Sequence, residues 1–395
     1  MSYRSFHMTM ETKHEVIRDT LDKYLKADKK EKGVILNRLE QTVHMHRKAL
    51  IRRLGEMQTT NSAYTVDGRG RPTYYTTDVI SALRDVWDVS NGLCGELLHS
   101  QINEYVNVLK RDKMWNNSDE ATGKLLAMSE RTVKRRVSEF ERTKRKGQGF
   151  CSTSPSNIKT IIPISVGEWK DVNPGVLQVD TVAHCGSTLK GDFVYTFNAT
   201  DVPTLWNILR SQWNKGEQAT RANDEYARCH LPFPFLRRHT DTGSEFINHG
   251  ANDWALLYDI KLTRSRPYQK NDNMVVEERN GHIVRKYVGY IRLDAREAVP
   301  VLNDLYFVLN LYTNHFIPSR KTIENFRIGA KYKRKYEKAK TPYQRVLNHL
   351  DISEEVKGKL RAEHLTLNPK TLLSQIEKLR SKLYDVQRKH GGPQI

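Results

Sequence analysis

The sequence predicts a multidomain protein with helical modules at its N-terminus, an α/β region in its middle and a mainly helical C-terminal region. Two observations predict this order. Apolar residues recur at helical spacing over residues 1–60 and 77–146, and short runs that alternate apolar and polar residues begin near residue 175. The length of 395 residues suits about two to four domains of roughly 100–200 residues each.

Glycine- and proline-bearing stretches separate these regions and set the predicted boundaries. The predicted domains are residues 1–60 (first helical module), 61–76 (linker), 77–148 (second helical module), 149–174 (linker), 175–316 (α/β region) and 317–395 (basic, mainly helical C-terminal region).

The charge balance indicates the kind of partner. Lys and Arg number 65 against 46 Asp and Glu, a formal net charge of +19, which favours a polyanion such as nucleic acid. No apolar stretch reaches the roughly 18 residues of a membrane span, and the N-terminus has no signal-peptide core, so we expect a cytoplasmic, nucleoid-associated protein. Four scattered cysteines without C-x-x-C spacing support neither a disulfide framework nor a zinc knuckle.

The first helical module contains "DKKEKGVILNRLEQTVHMHRKALIRRLG", which indicates two helices around a short break. The residues expected to face inward are Val34, Ile35, Leu36 and Leu39 before the break and Ala49, Leu50, Ile51 and Leu54 after it. This pattern is typical of a helix-turn-helix, with Arg47, Lys48 and Arg52 as DNA contacts. An ordinary helical hairpin with a solvated basic face is the alternative.

The linker that follows, "VDGRGRPTYY", holds Arg69 and Arg71 between small residues. Arginines presented in this way can insert into a narrow minor groove. A plain flexible connector is the alternative.

The second helical module ends in a sharper helix-turn-helix signal. Ser118 and Ser129 are predicted N-caps of consecutive helices, and Val133, Val137 and Phe140 supply the buried side of the second one. The candidate DNA contacts on its other side are Arg131, Thr132, Lys134 and Arg135.

The α/β region begins with "GVLQVDTVAHCG", a predicted strand whose Asp180 and His184 share the face opposite Leu177 and Val179. "DFVYTFNATD" is its expected antiparallel neighbour. A mixed helical stretch follows, and then "FPFLRRHTD", a strand that ends at Asp241. A short strand "DIKLTRSRP" then leads to a helix bearing Glu277.

Three carboxylates thus come from three different elements, and 35 residues separate Asp241 from Glu277. Carboxylates brought together repel one another unless cations intervene. Magnesium prefers oxygen ligands and takes substrate phosphate as a further ligand, and two such ions can act on one scissile phosphate. These three acids would suit such ions only if the fold brings them together.

This order and spacing resemble the D-D-35-E core of ribonuclease-H-like transposases and retroviral-type integrases. The ordered blocks "DTVAHCG", "LPFPF", "DTGSEFIN", "RSRPYQKNDN", "VRKYVGYIR", "NHFIPSRK" and "KTPYQR" resemble those of bacterial insertion-sequence transposases with an integrase catalytic region, over about residues 175–350. The chain departs from that pattern at two positions. The family usually has Asn where this chain has Thr242, and a large aromatic residue where this chain has Gly281.

The resemblance implies a ribonuclease-H-like catalytic domain, with a mixed sheet flanked by helices. It implies that Asp180, Asp241 and Glu277 are catalytic and bind two Mg²⁺ ions, with Mn²⁺ as a substitute. The implied enzyme is a DNA transposase that binds transposon ends on double-stranded DNA, cleaves strands by metal-assisted hydrolysis and joins 3′-hydroxyls to target DNA. It also implies a homo-oligomer that bridges two ends. The alternatives are a phage or retroelement integrase of the same chemistry and a DNA-binding repressor with a retired catalytic domain.

Residues around the three acids have open assignments. Glu278 and Glu245 are the alternative metal ligands, and His184 is either an auxiliary residue at the metals or a satisfied strand histidine. The basic residues Lys270, Arg279 and Lys286 are candidate phosphate contacts, with a solvated basic face as the alternative.

Beyond residue 300, "VLNDLYFVLNLYTNHF" indicates a buried helix that closes the α/β region. "RIGAKYKRKYEKAKTPY" then interleaves tyrosines and lysines, a pattern that favours a DNA-backbone contact. The apolar residues of the last helix are expected to pack back on the same chain rather than to form a coiled-coil pair with another helix.

Overall fold

The computed structural model describes residues 8–59, 73–144, 169, 172–241, 245–246, 248–265, 273–328 and 331–390. The chain divides into two compact units, Met1–Thr73 and Tyr74–Ile395. Within the described residues, none of the helices combines the length and the apolar composition that crossing a bilayer requires.

The first unit is helical throughout its described part. Its helices are α1 (Met10–Asp19), α2 (Leu21–Lys26), α3 (Lys29–Val43) and α4 (Arg47–Thr59). Asp28 begins α3 with a capping box, in which its side chain accepts from Glu31 N at 2.7 Å and Glu31 Oε2 accepts from Asp28 N at 3.0 Å. His44, in the left-handed conformation, ends α3 three residues before α4 begins.

The core of the first unit confirms the predicted pair of helices and corrects part of their buried face. Its buried residues are Ile17, Leu36, Leu39, Val43, Leu50 and Leu54. Val34 and Ile51 were expected to face inward but are 66% and 45% exposed. Both lie close to a buried residue in sequence but on another side of the helix, so the true apolar stripe is narrower than expected.

The second unit opens with five helices: α5 (Thr77–Val89), α6 (Gly95–His99), α7 (Ile102–Arg111), α8 (Asp119–Leu126) and α9 (Glu130–Lys144). Both predicted N-caps are present, because Ser118 Oγ accepts from Ala121 N at 3.2 Å and Ser129 Oγ from Thr132 N at 3.4 Å. The predicted inner side of α9 is buried and consists of Val133, Val137 and Phe140.

The helical block α5–α9 shares one hydrophobic core with two later helices, α13 (Ala298–Phe316) and α16 (Pro369–Lys389). Tyr105 Oη on α7 donates to the Phe316 carbonyl at 2.8 Å, and Tyr312 Oη on α13 donates to the Val89 carbonyl at 2.8 Å. The predicted second module and the predicted catalytic region therefore lie in one compact unit.

A five-stranded mixed sheet lies at the centre of the second unit. Its strands are β1 (Val176–Ala183), β2 (Val194–Asp201), β3 (Asn207–Trp213), β4 (Arg237–Thr240) and β5 (Lys261–Arg264), in the order β3-β2-β1-β4-β5. Strand β2 runs antiparallel to β1 and β3, while β1, β4 and β5 are parallel. Strands β1, β3, β4 and β5 therefore all end at the same edge of the sheet.

The predicted strands β1, β2, β4 and β5 are confirmed, but β3 was taken for part of a helical stretch. Its sequence "NILRSQW" lacks a clear alternation because side chains on both of its faces are buried. The side-chain oxygens of three asparagines on α13 accept the outward N–H groups of β3, which protects an edge strand from further pairing. The pairs are Asn207 with Asn314 at 2.9 Å, Leu209 with Asn310 at 3.0 Å and Ser211 with Asn303 at 2.8 Å.

Helices cover both faces of the sheet. Leu177 and Val179 of β1 share a core with residues of α10 (Glu217–His230) and α11 (His249–Leu257), whereas Val182 belongs to the core built around α13. The face of Val182 also receives α12 (Met274–Arg279) and the π-helical segment Asn280–Arg285 that continues it. Helices on both faces of a mixed sheet confirm the predicted α/β architecture at this level.

The C-terminal region contains β6 (Thr322–Ile328) and β7 (Lys331–Tyr336), which form a separate antiparallel pair, followed by α14 (Pro342–Asn348), α15 (Glu354–Thr366) and α16. The apolar side of α16 packs on α13, with Leu372, Ile376 and Leu383 buried, as expected for a helix that packs on its own chain.

Close packing of α6 on α9 gives a stability prediction. A Cβ added at Gly95 would lie 2.5 Å from Lys134 Cα and 2.8 Å from Lys134 N, so Gly95→Ala must push the two helices apart. We expect a loss of about 1–3 kcal/mol in the free energy of unfolding, measured by chemical denaturation. Gly123→Ala on α8 is the matched control, because an added Cβ there meets no atom within 4 Å and should stabilise by about 0.5–1 kcal/mol. Equal stability of the two variants would contradict the packing.

Candidate functional site

Two acidic residues lie side by side where β1 and β4 approach their carboxyl ends. The parallel register pairs Val179 with Thr240, so the next residue of each chain segment, Asp180 and Asp241, occupies the following position. Neighbouring strands are about 4.8 Å apart, and residues in register point to the same face of a sheet. Both acids are half-buried. The carboxyl ends of parallel strands are where open α/β sheets commonly bind ligands.

The electrostatics of the pair reflect this crowding. Burial is the main cause that raises the pKa of Asp180, and the nearby Asp241 carboxylate raises it further. Hydrogen bonds from Thr181 N and Asn280 and the charge of Lys215 act in the opposite direction. These contacts therefore offset the effects of burial and of the neighbouring charge on Asp180 only in part.

Asn280 fixes the Asp180 carboxylate. Its Nδ2 donates to Asp180 Oδ2 at 2.7 Å, and Asn198 Nδ2 on β2 donates to Asn280 Oδ1 at 2.6 Å. Asn280 is also the first residue of the π-helical segment, and such segments are rare and often occur at functional sites. The sequence did not single out Asn280, although its position three residues after Glu277 places both on one side of a helix.

Gln178 anchors the start of α12 on the same face of the sheet. Its Oε1 accepts from Val275 N at 2.9 Å and from Val276 N at 3.2 Å, which satisfies two of the N–H groups that a helix leaves unpaired at its N-terminus. Gln178 and Asp180 are two residues apart on β1 and share a face. The strand that carries the first acid therefore also positions the helix that carries Glu277.

Glu277 lies on α12, one turn before Asn280, with an exposed side chain. The structure thus brings Asp180 and Asp241 together and attaches the helix of Glu277 to Asp180 through Asn280. Among the described residues, no three His, Cys, Asp or Glu side chains form a group that could hold a metal ion. The convergence of Glu277 on the two aspartates stays a prediction.

The two alternative acids have other partners. Glu245 is buried, and its Oε1 lies 2.7 Å from Lys215 Nζ. Glu278 is exposed, with its Oε1 3.5 Å from His282 Nδ1 on the following turn. Each of these carboxylates therefore has a neighbouring basic group.

Lys215 is a site residue that the sequence did not reveal. It follows β3 and therefore lies at the same sheet edge as the two aspartates. Burial lowers its pKa, but Glu245, Tyr195 and Asp241 outweigh this effect and leave the pKa raised. Lys215 therefore remains charged and compensates the acidic pair. Without β3, nothing in the sequence placed this lysine at the carboxyl end of a strand.

His184 is buried rather than turned toward a ligand. Its Nε2 lies 2.7 Å from Thr196 Oγ1, and burial lowers its pKa to about 3, so the ring is neutral. Thr196 in turn bonds Tyr306 of α13. The burial and the hydrogen bond to Thr196 favour a strand histidine held within the core over an auxiliary residue at the metals, although its buried Nδ1 has no hydrogen-bond partner in the part of the chain that the structure describes.

The candidate DNA contacts of the first unit differ in exposure. Lys48 and Arg52 are exposed on α4. Arg47 is half-buried and turns back to α3, where its guanidinium donates to Asn37 Oδ1 and to the Gly33 carbonyl. Arg69 and Arg71 lie outside the described residues.

On α9, Arg131, Lys134 and Arg135 are exposed, and Thr132 is half-buried beside the N-cap Ser129. Lys134 forms an ion pair with Glu96 of α6. Arg131 and Arg135 are four residues apart, so both point away from the buried side of α9.

Of the basic residues near the acids, Lys286 is exposed, with its Nζ 5.5 Å from the centroid of the Tyr287 ring. Arg279 was predicted to contact phosphate, but it is buried and its Nη2 donates to Ser319 Oγ at 2.9 Å. This corrects the prediction for Arg279, whose side of α12 faces the interior. Lys270 lies outside the described residues.

Fold and site together define an α/β protein with helices on both sheet faces and an acidic pair at the strands' carboxyl ends. No family model matches the chain. The uncharacterized protein y4rM of Sinorhizobium fredii (strain NBRC 101917 / NGR234) is 33% identical over 339 residues, which cover 86% of this chain and 96% of that protein. The chain belongs to the family of that protein.

One solved structure that matches is the cryoEM structure of the simian T-cell lymphotropic virus intasome in complex with PP2A regulatory subunit B56 gamma. The alignment covers 42% of this chain and 66% of that chain, at 16% identity and a TM-score of 0.29. A likeness of this size does not define the fold.

The raised pKa of Asp180 gives a prediction for stability against pH. A carboxyl whose pKa is raised in the folded state opposes folding once it ionises, so its unfavourable contribution grows as pH rises through that pKa. Asp180→Asn should therefore melt at a higher temperature than the unaltered protein at neutral pH, and the difference should shrink toward about pH 4, as measured by thermal scans across pH.

Asp112→Asn is the control of opposite sign. The Arg111 guanidinium is the main cause that lowers the pKa of Asp112 to about 2, so the ionised Asp112 stabilises the fold above the ordinary aspartate pKa. Asp112→Asn should lower the melting temperature at neutral pH. The interpretation of the acidic pair fails if Asp180→Asn is destabilising at neutral pH in the same way.

Proposed function

We propose that the protein is a DNA transposase that binds transposon ends, cleaves DNA strands by metal-assisted hydrolysis and joins the 3′-hydroxyls to target DNA by transesterification. The observation that carries the proposal is the placement of Asp180 and Asp241 opposite one another, at the register position that follows the Val179–Thr240 pair of two parallel strands. Glu277, at the spacing of the D-D-35-E pattern, lies on a helix anchored to the first of these strands.

The donor set fits a divalent cation. Asp180 and Asp241 supply hard oxygen ligands, and Asp180 has a pKa raised by burial and by its neighbour, which a bound cation would reverse. Asp180, Asp241 and Glu277 are the residues that would hold Mg²⁺, or Mn²⁺ in its place. Bound there, the metal would polarise a phosphate oxygen and make a water molecule or a 3′-hydroxyl more acidic.

The chain's own side chains have defined tasks in this proposal. Asn280 and Thr181 N each bond one oxygen of the Asp180 carboxylate, which holds its orientation and leaves further lone pairs for a ligand. Lys215 supplies positive charge beside the pair, where it can attract a DNA phosphate. Gln178 holds the start of α12 against the sheet, which fixes the position of the backbone that carries Glu277.

Recognition of DNA ends is assigned to α9. The helix follows a short α8, is anchored by buried Val133 and Val137, and exposes Arg131 and Arg135 on its other side. This arrangement supports a recognition helix in the major groove. A homo-oligomer that pairs two transposon ends on double-stranded DNA completes the proposal.

The cleavage prediction concerns the three acids. Asp180→Asn, Asp241→Asn and Glu277→Gln should each abolish strand cleavage and transfer while end binding stays within a few-fold, because the charge needed at the scissile phosphate is removed without any change in size. The measurement is a gel assay on DNA that flanks the gene, with Mg²⁺, Mn²⁺, Ca²⁺ and excess EDTA. Asp192→Asn, which removes an exposed acid outside the site, is the control.

Ca²⁺ should support cleavage poorly, because its looser coordination does not impose the octahedral geometry of Mg²⁺. Full activity in EDTA, or a wild-type transfer rate in any of the three variants, would remove the metal mechanism. End binding without cleavage under every condition would favour the repressor alternative, and inverted repeats around the gene would separate a transposase from an integrase.

The recognition prediction concerns Arg131 and Arg135. Replacing both with Gln should weaken binding to end DNA by about 1–3 kcal/mol for each arginine that reads a guanine edge, with a smaller effect on scrambled DNA. Competition binding with the two DNAs measures this difference. Lys378→Gln/Lys382→Gln is the matched control, since these exposed residues are also four apart but lie on α16. An α9 variant that is folded and binds both DNAs normally would take α9 out of the interface.

A further inference from the structure

The β6–β7 hairpin is a strongly basic surface. Its exposed side chains include Arg327, Lys333, Arg334 and Lys335, together with the aromatic residues Phe326 and Tyr336, which are 43% and 46% exposed. Glu324 contributes one negative charge, with its Oε2 3.5 Å from Lys335 Nζ. An excess of positive charge around exposed aromatic rings favours a nucleic acid as the partner.

Glu96 connects this hairpin to α9. One of its carboxylate oxygens, Oε2, lies 2.6 Å from Arg320 Nη2, and the other, Oε1, bonds Lys134 Nζ. Arg320 also lies over the Tyr336 ring at the end of β7, with its guanidinium carbon 5.5 Å from the ring centroid. The hydrogen bond from Lys134 is the main cause that lowers the pKa of Glu96, so this carboxylate is ionised and bridges two cations.

The base of the hairpin is fixed to the rest of the second unit. Lys321 Nζ donates to the Val202 carbonyl after β2 at 2.7 Å. Glu337, just after β7, accepts from Lys321 N at 3.0 Å and pairs with Arg345 of α14. These contacts therefore fix the position of the hairpin relative to both the sheet and α9.

We propose that α9 and the β6–β7 hairpin form one continuous surface, the α9–hairpin surface, that binds a single DNA duplex. This inference rests on the proposed function only in taking DNA as the partner. The major groove admits either an α-helix or a two-stranded β-ribbon, and cations on both elements neutralise phosphates. Helix α9 contacts both base edges and phosphates, the hairpin contacts the backbone, and Glu96 holds the two elements in register.

The first test measures how binding depends on salt. The affinity of the full-length protein for a random duplex of about 30 base pairs is measured by fluorescence anisotropy in EDTA, from about 50 to 200 mM salt. Lys333→Gln/Arg334→Gln/Lys335→Gln should weaken binding to all sequences alike and reduce the slope of log K against log salt by about 0.9 for each phosphate that is no longer neutralised. Combined with Arg131→Gln/Arg135→Gln, the reductions in slope should add.

The matched control is Lys370→Gln/Lys378→Gln/Lys382→Gln on α16, which removes the same charge from an exposed helix. An equal change in slope for the two triple variants, or no change for the hairpin variant, would overturn the inference. Stronger binding to duplex RNA of the same sequence would overturn it as well. Thermal scans establish that each variant is folded.

Glu96→Gln gives a second, independent measurement. The substitution keeps the size of the side chain but frees the charges of Lys134 and Arg320, so the salt slope should steepen by up to about 2. An unchanged or shallower slope would mean that these cations do not face the duplex.

The two proposals fail in different ways. If the protein cleaves end DNA but the hairpin variant binds DNA with an unchanged salt slope, only the α9–hairpin surface is refuted. If the hairpin and α9 variants change the slope as expected but no DNA is cleaved with any metal, only the transposase is refuted.

Discussion

The parallel pairing of β1 with β4 is the constraint on which the site depends. It places Asp180 and Asp241 opposite one another on strands that are about 4.8 Å apart, in surroundings where burial already raises the pKa of Asp180. Two carboxylates held this way oppose folding, so nearby groups must offset the repulsion. Thr181 N, Asn280 and Lys215 offset part of it. In the proposed metal site, a bound cation would offset the rest.

The supporting residues connect the acids to the whole second unit. Asn280, which bonds Asp180, also accepts a hydrogen bond from Asn198 of β2. Gln178 of β1 accepts a hydrogen bond from the start of α12. At the β3 edge of the sheet, asparagines of α13 accept the outward N–H groups of that strand, and α13 shares its core with α5–α9 and α16. Side chains that satisfy backbone groups therefore determine where the helices lie, and the helices in turn hold the acids.

The sequence alone was sufficient to predict the features that neighbouring residues determine. Ser118 and Ser129 cap α8 and α9, and strand alternation located β1 and the face of Asp180. It was insufficient where a distant partner decides the outcome. Strand β3 depends on asparagines about a hundred residues away, and without β3 the position of Lys215 is not apparent. Arg279 is buried where Ser319 accepts its hydrogen bond, which helical spacing cannot reveal. The apolar faces of α3 and α4 are likewise narrower than predicted, so Val34 and Ile51 are exposed.

The central claim is that the acidic pair is a divalent-cation site completed by Glu277. The most direct measurement is anomalous diffraction from crystals soaked in Mn²⁺, which locates the metal without requiring activity or knowledge of the DNA substrate. We predict Mn²⁺ bound by Asp180 and Asp241, with Glu277 turned toward it, and no Mn²⁺ at this position in Asp241→Asn. Mn²⁺ bound only elsewhere, with Lys215 still beside an unliganded acidic pair, would contradict the claim.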